Sequence, residues 1–126
     1  MKRVTGIGGV FFKSSDPAAL SAWYRQHLGL DVTDWGGAIF RWGGPESDGG
    51  VTVWSPFAQD TNYMAPGMAS FMINFRVANL DALLSALKAE GCAVMEETSE
   101  SEQGKFGWVV DPEGNKIELW QPHPGY

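Results

Sequence analysis

Gly9-Val10-Phe11-Phe12-Lys13 lines up with Met72-Ile73-Asn74-Phe75-Arg76 at an offset of 63 residues. The same offset carries Asp16 onto Asn79, Ala19 onto Ala82 and Leu20 onto Leu83. Further along, Phe40-Arg41-Trp42 lines up with Phe106-Gly107-Trp108, and Val51-Thr52-Val53-Trp54-Ser55-Pro56 with Ile117-Glu118-Leu119-Trp120-Gln121-Pro122, both at an offset of 66. Self-similarity on this scale marks a duplicated unit. Residues 1–126 therefore read as one domain of two related halves, about 1–57 and 69–126.

Each half opens with an apolar, strand-like run and continues into a capped helix. Asp16 is a good N-cap with Pro17 at the first helical position, and Ala19, Leu20, Trp23, Tyr24, His27 and Leu28 follow at helical spacing up to Gly29. In the second half Asn79 is the cap, Leu80, Leu83, Leu84 and Leu87 form the apolar stripe, and Gly91 is the stop. Shorter β-prone runs come next: Leu30 to Thr33, Ala38 to Trp42 and Val51 to Trp54, then Cys92 to Glu96, Phe106 to Val110 and Lys116 to Trp120. Asp111-Pro112-Glu113-Gly114-Asn115 has the chemistry of a hairpin turn, and Gly36-Gly37, Gly43-Gly44-Pro45 and Gly49-Gly50 punctuate the first half in the same way. The expected order is βαβββ in each half. Ala58 to Met68 shows no periodicity and reads as the linker.

Nine Lys and Arg against fifteen Asp and Glu leave a net charge of −6, with 44% hydrophobic and 13% aromatic residues. That composition suits a folded core and argues against disorder. No basic run exceeds Lys2-Arg3, so neither nucleic acid nor an anionic membrane is an expected partner. No apolar stretch reaches the length of a membrane span, and no leader-like segment follows the N-terminal charges, so the expected location is cytoplasmic. The one cysteine, Cys92, has no basic neighbour and reads as a buried, inert thiol.

Two copies of βαβββ resemble the vicinal-oxygen-chelate superfamily, which includes glyoxalase I, the bleomycin and fosfomycin resistance proteins and extradiol dioxygenases. Two stretches carry the resemblance. One runs from Gly9-Val10-Phe11-Phe12-Lys13 through Asp16-Pro17 to His27-Leu28-Gly29-Leu30; the other is Val109-Val110-Asp111-Pro112-Glu113-Gly114-Asn115-Lys116-Ile117-Glu118-Leu119. It implies an α+β fold in which two tandem βαβββ modules curve their sheets around a cup. In metal-dependent members, His or Glu from the first and last strands of each module bind a divalent metal. Carried onto this sequence, those positions are Gly9, Thr52, Met72 and Glu118. Glycine has no side chain, a thioether is a poor ligand for hard or borderline cations and Thr is weak, so only Glu118 matches and neither a metal nor another cofactor is expected. His27, at a helix end, and His123, between Pro122 and Pro124, lack convergent partners.

Glu118 then has two readings: a general base or hydrogen-bond acceptor in the cup, or a carboxylate that packs beside its neighbouring strands. Strand alternation adds the rest of the cup face. With Gly9 and Met72 inward, Phe11, Lys13, Asn74 and Arg76 share that face, and Trp54 and Trp120 flank Thr52 and Glu118. Val10, Phe12, Ile73, Phe75 and Val77 form the opposite, helix-facing set. Trp23 reads as helix core, and the strand tryptophans Trp42, Trp54, Trp108 and Trp120 as a stacking surface, a sheet core or a dimer interface. Arg41, replaced by Gly107 in the second half, is either a clamp for an anionic group or a solvated strand charge. Glu96 to Glu102 reads as a solvated acidic loop, or a lid.

The expected function is small-molecule binding in the cup without the usual metal, with Phe11, Arg41, Trp54, Asn74, Arg76 and Trp120 as ligand-binding residues. The acidic net charge suits a cationic ligand. The competing reading is a glyoxalase- or isomerase-type enzyme that uses Glu118 and a divalent metal; a third is a structural part of a larger assembly. Exposed strand edges and family habit point to a homodimer.

Overall fold

Asp16 Oδ1 accepts the amide of Ala19 at 3.1 Å, and Pro17 begins helix α1 (Pro17–Leu28). Gly29, at φ +70°, closes it with its amide on the Arg25 carbonyl. Asn79 repeats the cap on Ala82 at 3.1 Å and starts helix α2 (Leu80–Ala89). Both helices form as the capping residues dictate.

The strands are β1 (Val4–Ser14), β2 (Ala38–Arg41), β3 (Val51–Ala58), β4 (Phe71–Val77), β5 (Ala93–Ser101), β6 (Gly104–Val110) and β7 (Lys116–Pro122). In this computed structural model, which describes residues 3–44 and 49–126, they form one mixed sheet of order β2-β3-β1-β4-β7-β6-β5. Pro45 of the expected turn and the N-terminal Met1 and Lys2 lie outside the described residues. The sheet is curved and does not close, an α+β architecture as expected. Its order shows the duplication. The opening strands β1 and β4 meet antiparallel at the centre, and each has its own half's last strand, β3 or β7, parallel on its far side. The halves therefore pair within one chain.

The apolar set on β4 does what alternation predicts. Val77 packs with Leu80, Leu83 and Leu84 of α2 and with Leu119, and Phe75, Val94, Val109 and Ile117 join them. Gly107 permits this approach, since a Cβ there would meet Leu84 Cδ1 at 3.0 Å. Under α1, Tyr24 packs on Trp54 and Phe12 packs on Trp54.

Several expectations are corrected. Leu30 to Thr33 is not a strand: the Thr33 amide and hydroxyl both donate to the Gly37 carbonyl, closing a local turn, so the first half is βαββ. Glu96 to Ser101 is neither loop nor lid but the outer part of edge strand β5, paired with β6 from Thr98↔Gly107 to Ser101↔Gly104. Its charges protect an edge that would otherwise invite pairing. Trp23 is not core; it is 51% exposed and stacks beside Tyr24 and His27. Cys92 is exposed, placed in the connection between α2 and β5. Among the described residues, no helix is long and apolar enough to cross a membrane.

Candidate functional site

Register sets out the site as two rows across the sheet. Trp108 pairs with Glu118 and Glu118 with Asn74; in the next row Phe106 pairs with Trp120 and Trp120 with Arg76. Glu118 is 2% exposed. Its Oε1 accepts from the Tyr63 hydroxyl and from Trp108 Nε1 at 3.1 Å, and its Oε2 accepts from Asn74 Nδ2 at 2.7 Å. Three donors surround the carboxylate, which is how a protein holds a buried one.

Tyr63 comes from the connection between β3 and β4, whose anchor is Met64, buried against Met72 and Trp108. Burial raises the Tyr63 pKa above its ordinary 10.0, and the Glu118 charge adds to it, because a phenolate there would be desolvated and beside a like charge. Lys116 Nζ donates to the Tyr63 carbonyl at 2.6 Å and lies 5.0 Å from the Tyr63 ring and 5.2 Å from that of Trp108. Burial lowers its pKa, against the pull of Glu118 and Glu97. Alternation gave no hint of Tyr63, since it sits in the aperiodic linker.

Beside this network lies a cavity of about 280 Å³, walled by Phe11, Trp35, Ile39, Val53, Phe106, Trp120 and Tyr126, with Gly8, Gln103 and Asn74 completing it. Gly8 sits at a register shift between Ile7 and Gly9. A Cβ on it would collide with Asn74 Oδ1 and come within 2.8 Å of the Trp120 ring, so the absent side chain keeps the cup open. Arg76 Cζ lies between two indoles, 5.1 Å from Trp42 and 5.2 Å from Trp120, and burial lowers its pKa. Trp42 is held there by its Nε1–H bond to Thr52 Oγ1 at 2.8 Å.

The model of a glyoxalase-like domain matches residues 9–120 of this sequence. The chain belongs to the glyoxalase-like family. Solved structures share the fold of this glyoxalase-like chain at low identity. Methylmalonyl-CoA epimerase from Mycobacterium tuberculosis is 20% identical over 96% of this chain and 90% of its own, with a TM-score of 0.64. A variant of the Streptomyces coelicolor methylmalonyl-CoA epimerase in complex with 2-nitronate-propionyl-CoA is 19% identical over 94% and 95%, with a TM-score of 0.70. A glyoxalase/bleomycin resistance protein/dioxygenase superfamily member from Vibrio splendidus 12B01 is 14% identical over 91% and 97%, with a TM-score of 0.57. No curated protein sequence matches the chain at a significant level.

The residues present do not fit the metal that the glyoxalase-like fold implies. Gly9 has no donor, Met72 is packed with Met64 and Trp108, and the Thr52 hydroxyl donates to the Ile7 carbonyl at 2.6 Å while accepting from Trp42. Both Glu118 oxygens already face donors. Among the described residues, no three His, Cys, Asp or Glu side chains cluster.

Of the residues read from sequence, Phe11, Asn74 and Trp120 line the cavity, Arg76 is wedged against Trp120, and Glu118 lies one row away behind Asn74. Trp54 is a correction: its ring packs on Phe12 and Tyr24, on the α1 side of the sheet. The reason is register. β4 pairs Asn74 with Glu118, whereas Phe11, the repeat's equivalent of Asn74, pairs with Ser55 rather than Thr52. A slip of three residues is odd, and an odd slip turns every side chain of β3 over. Val53 lines the cup instead. Arg41 does not reach the cavity wall; its Nη1 donates to the Gly125 carbonyl at 3.2 Å, tethering the tail that places Tyr126 against Trp120. Trp42 and Trp108, among the strand tryptophans read as a stacking surface, a sheet core or a dimer interface, support the site, and Trp35, Tyr63 and Tyr126 join it without having been candidates. These last three stand outside the strands, where alternation carries no signal.

Proposed function

We propose that this chain binds a small molecule with a ring or other apolar body in the cup, without a metal at the family's usual position. One observation carries the reading: a cavity of about 280 Å³ whose wall is almost wholly aromatic and aliphatic, with a few convergent polar atoms from Asn74, Gln103 and the Tyr126 side. Concave, largely apolar sites with a few fixed polar groups are what small ligands occupy. The volume suits a one- or two-ring compound. The competing reading, an isomerase-type enzyme with Glu118 as base on a divalent metal, needs further metal ligands, and Gly9, Met72 and the Thr52 hydroxyl, already bonded to Ile7 and Trp42, do not supply them. Net charge pointed to a cationic ligand, but the Arg76 guanidinium stands against the Trp120 wall of the cup, a local positive charge that the net figure does not reveal.

The reading includes a homodimer and a cytoplasmic location. Leu28, Trp35, Ile39 and Phe40 are exposed at the end of α1, in the following turn and on edge strand β2, a surface that a second copy would cover.

The test is a thermal-shift screen of small ring compounds with and without chelator, followed by calorimetry. Hits should stabilise the chain equally in both conditions, because ligand that binds only the native state raises its melting temperature. Hits that need added metal, or that bind Trp120→Ala as tightly as wild type, would overturn the proposal.

A further inference from the structure

Among the described residues, two buried side-chain polar atoms have no hydrogen-bond partner: Asn74 Oδ1 and Arg76 Nη1. They stand two residues apart on the same face of β4; Asn74 lines the cavity described above, and Arg76 lies just behind its wall, against Trp120 and with its Cγ 3.0 Å from where a Cβ on the lining Gly8 would stand. Native structures leave few such atoms unmet, and those they do leave ask for an explanation.

The orientation of Asn74 is dictated. Its Nδ2 donates to Glu118 Oε2 at 2.7 Å, and a carboxylate oxygen already facing a donor would repel an amide oxygen turned toward it. Oδ1 is therefore committed to the Gly8 side, where no side chain stands in its way. The residue is 2% exposed, so bulk water does not serve this acceptor freely. Arg76 presents the opposite need. Its guanidinium is sandwiched by Trp42 and Trp120, makes no ion pair among the described residues, and has its pKa lowered by burial. A partly desolvated cation without a counter-ion is costly, and a planar carboxylate is the group its fork of donors fits.

Resting on the reading of the cup as a small-molecule site, we infer that its ligand is an aromatic carboxylate bearing a hydroxyl or amino group. The carboxylate meets Arg76, the hydroxyl or amino hydrogen is donated to Asn74 Oδ1, and the ring lies against Phe11, Phe106 and Trp120. One molecule then satisfies both unmet atoms and fills the apolar wall. A cation would meet Arg76 with repulsion. A neutral hydrocarbon ring would leave both atoms as they are.

The experiment is calorimetry on the whole chain with matched probes: the three hydroxybenzoate isomers, their amides, benzoate and hydroxybenzylamine. At least one hydroxybenzoate should bind ten-fold or more tighter than its own amide, and several-fold tighter than benzoate. Arg76→Gln should weaken that acid ten-fold or more while leaving the amide nearly unchanged; Arg76→Lys, which keeps the charge and the stem, serves if the first variant does not fold. Comparison among the probes on wild type needs no variant. An amide or amine that binds as tightly as the acid overturns the inference, as does an acid indifferent to both Arg76 substitutions. Failure of every probe overturns it too. Indole and naphthalene separate the two levels: if they bind and Trp120→Ala weakens them, the cup reading stands without the anion, and if they also fail, the cup reading falls with it.

Discussion

Asn74 Nδ2 and Glu118 Oε2 face each other at 2.7 Å across the parallel pair of β4 and β7, and this one bond orients both sides of the site. Toward Glu118 it completes a ring of donors with Tyr63 and Trp108. Toward the cavity it leaves the amide oxygen as the acceptor.

Glu118→Gln should destabilise the fold by about 1–3 kcal/mol, because whichever oxygen becomes an amide nitrogen faces a donor and leaves buried groups unmet. Urea denaturation at neutral pH measures the loss. A change below a few tenths of a kcal/mol would show that the three bonds are not made in solution.

Tyr63→Phe should cost about 1 kcal/mol, since Trp108 still serves Glu118 Oε1. The pH dependence is more telling. Tyr63 has its pKa raised in the fold above its ordinary 10.0, so above that pH the native state binds more protons than the unfolded one. Its contribution is therefore complete below pH 10 and declines as pH rises beyond it. Wild type should lose stability above pH 10 more steeply than Tyr63→Phe; parallel curves for the two proteins would contradict the raised pKa.

Trp120→Ala and Trp54→Ala should separate by face. Trp120 lines the cavity, so its loss should weaken ring-bearing ligands several-fold, in keeping with about 0.5–1.5 kcal/mol for an aromatic contact. Trp54 packs beneath α1, so its loss should lower stability by about 1–3 kcal/mol and leave affinity within two-fold. Equal effects on affinity would place the ligand elsewhere.

Elemental analysis of protein purified without added metal or chelator should find less than one divalent metal per chain. The donor set motivates this: Gly9, Thr52 and Met72 offer no ligand, and Glu118 alone, already accepting from three donors, does not make a chelate. A stoichiometric metal that disappears with Glu118→Gln would refute it.

Light scattering during size exclusion should give the mass of a dimer. Phe40→Glu, which puts a charge on exposed edge strand β2, should shift the population toward monomer. A monomer mass for wild type across a wide concentration range would count against the pairing.

What the sequence alone determined are features that neighbours along the chain decide. Asp16 and Asn79 reach amides three residues ahead, and Asp111 Oδ1 accepts from Glu113 and Asn115 within the hairpin turn, so caps and turn were legible without a fold. Alternation along β4 likewise separated Asn74 and Arg76 from Ile73, Phe75 and Val77, because the period of a strand is a property of the strand itself. Tertiary structure decided the rest. The face that Trp54 takes depends on how β3 registers with β1, and a three-residue difference from the β4·β7 pair reverses it. Tyr63 reaches Glu118, 55 residues away, only because Met64 buries an aperiodic connection against Met72 and Trp108. Periodicity and capping act over one turn or one pleat; strand register and the packing of connections are settled by partners distant in sequence, and those partners complete the donors around Glu118 and the wall of the cup.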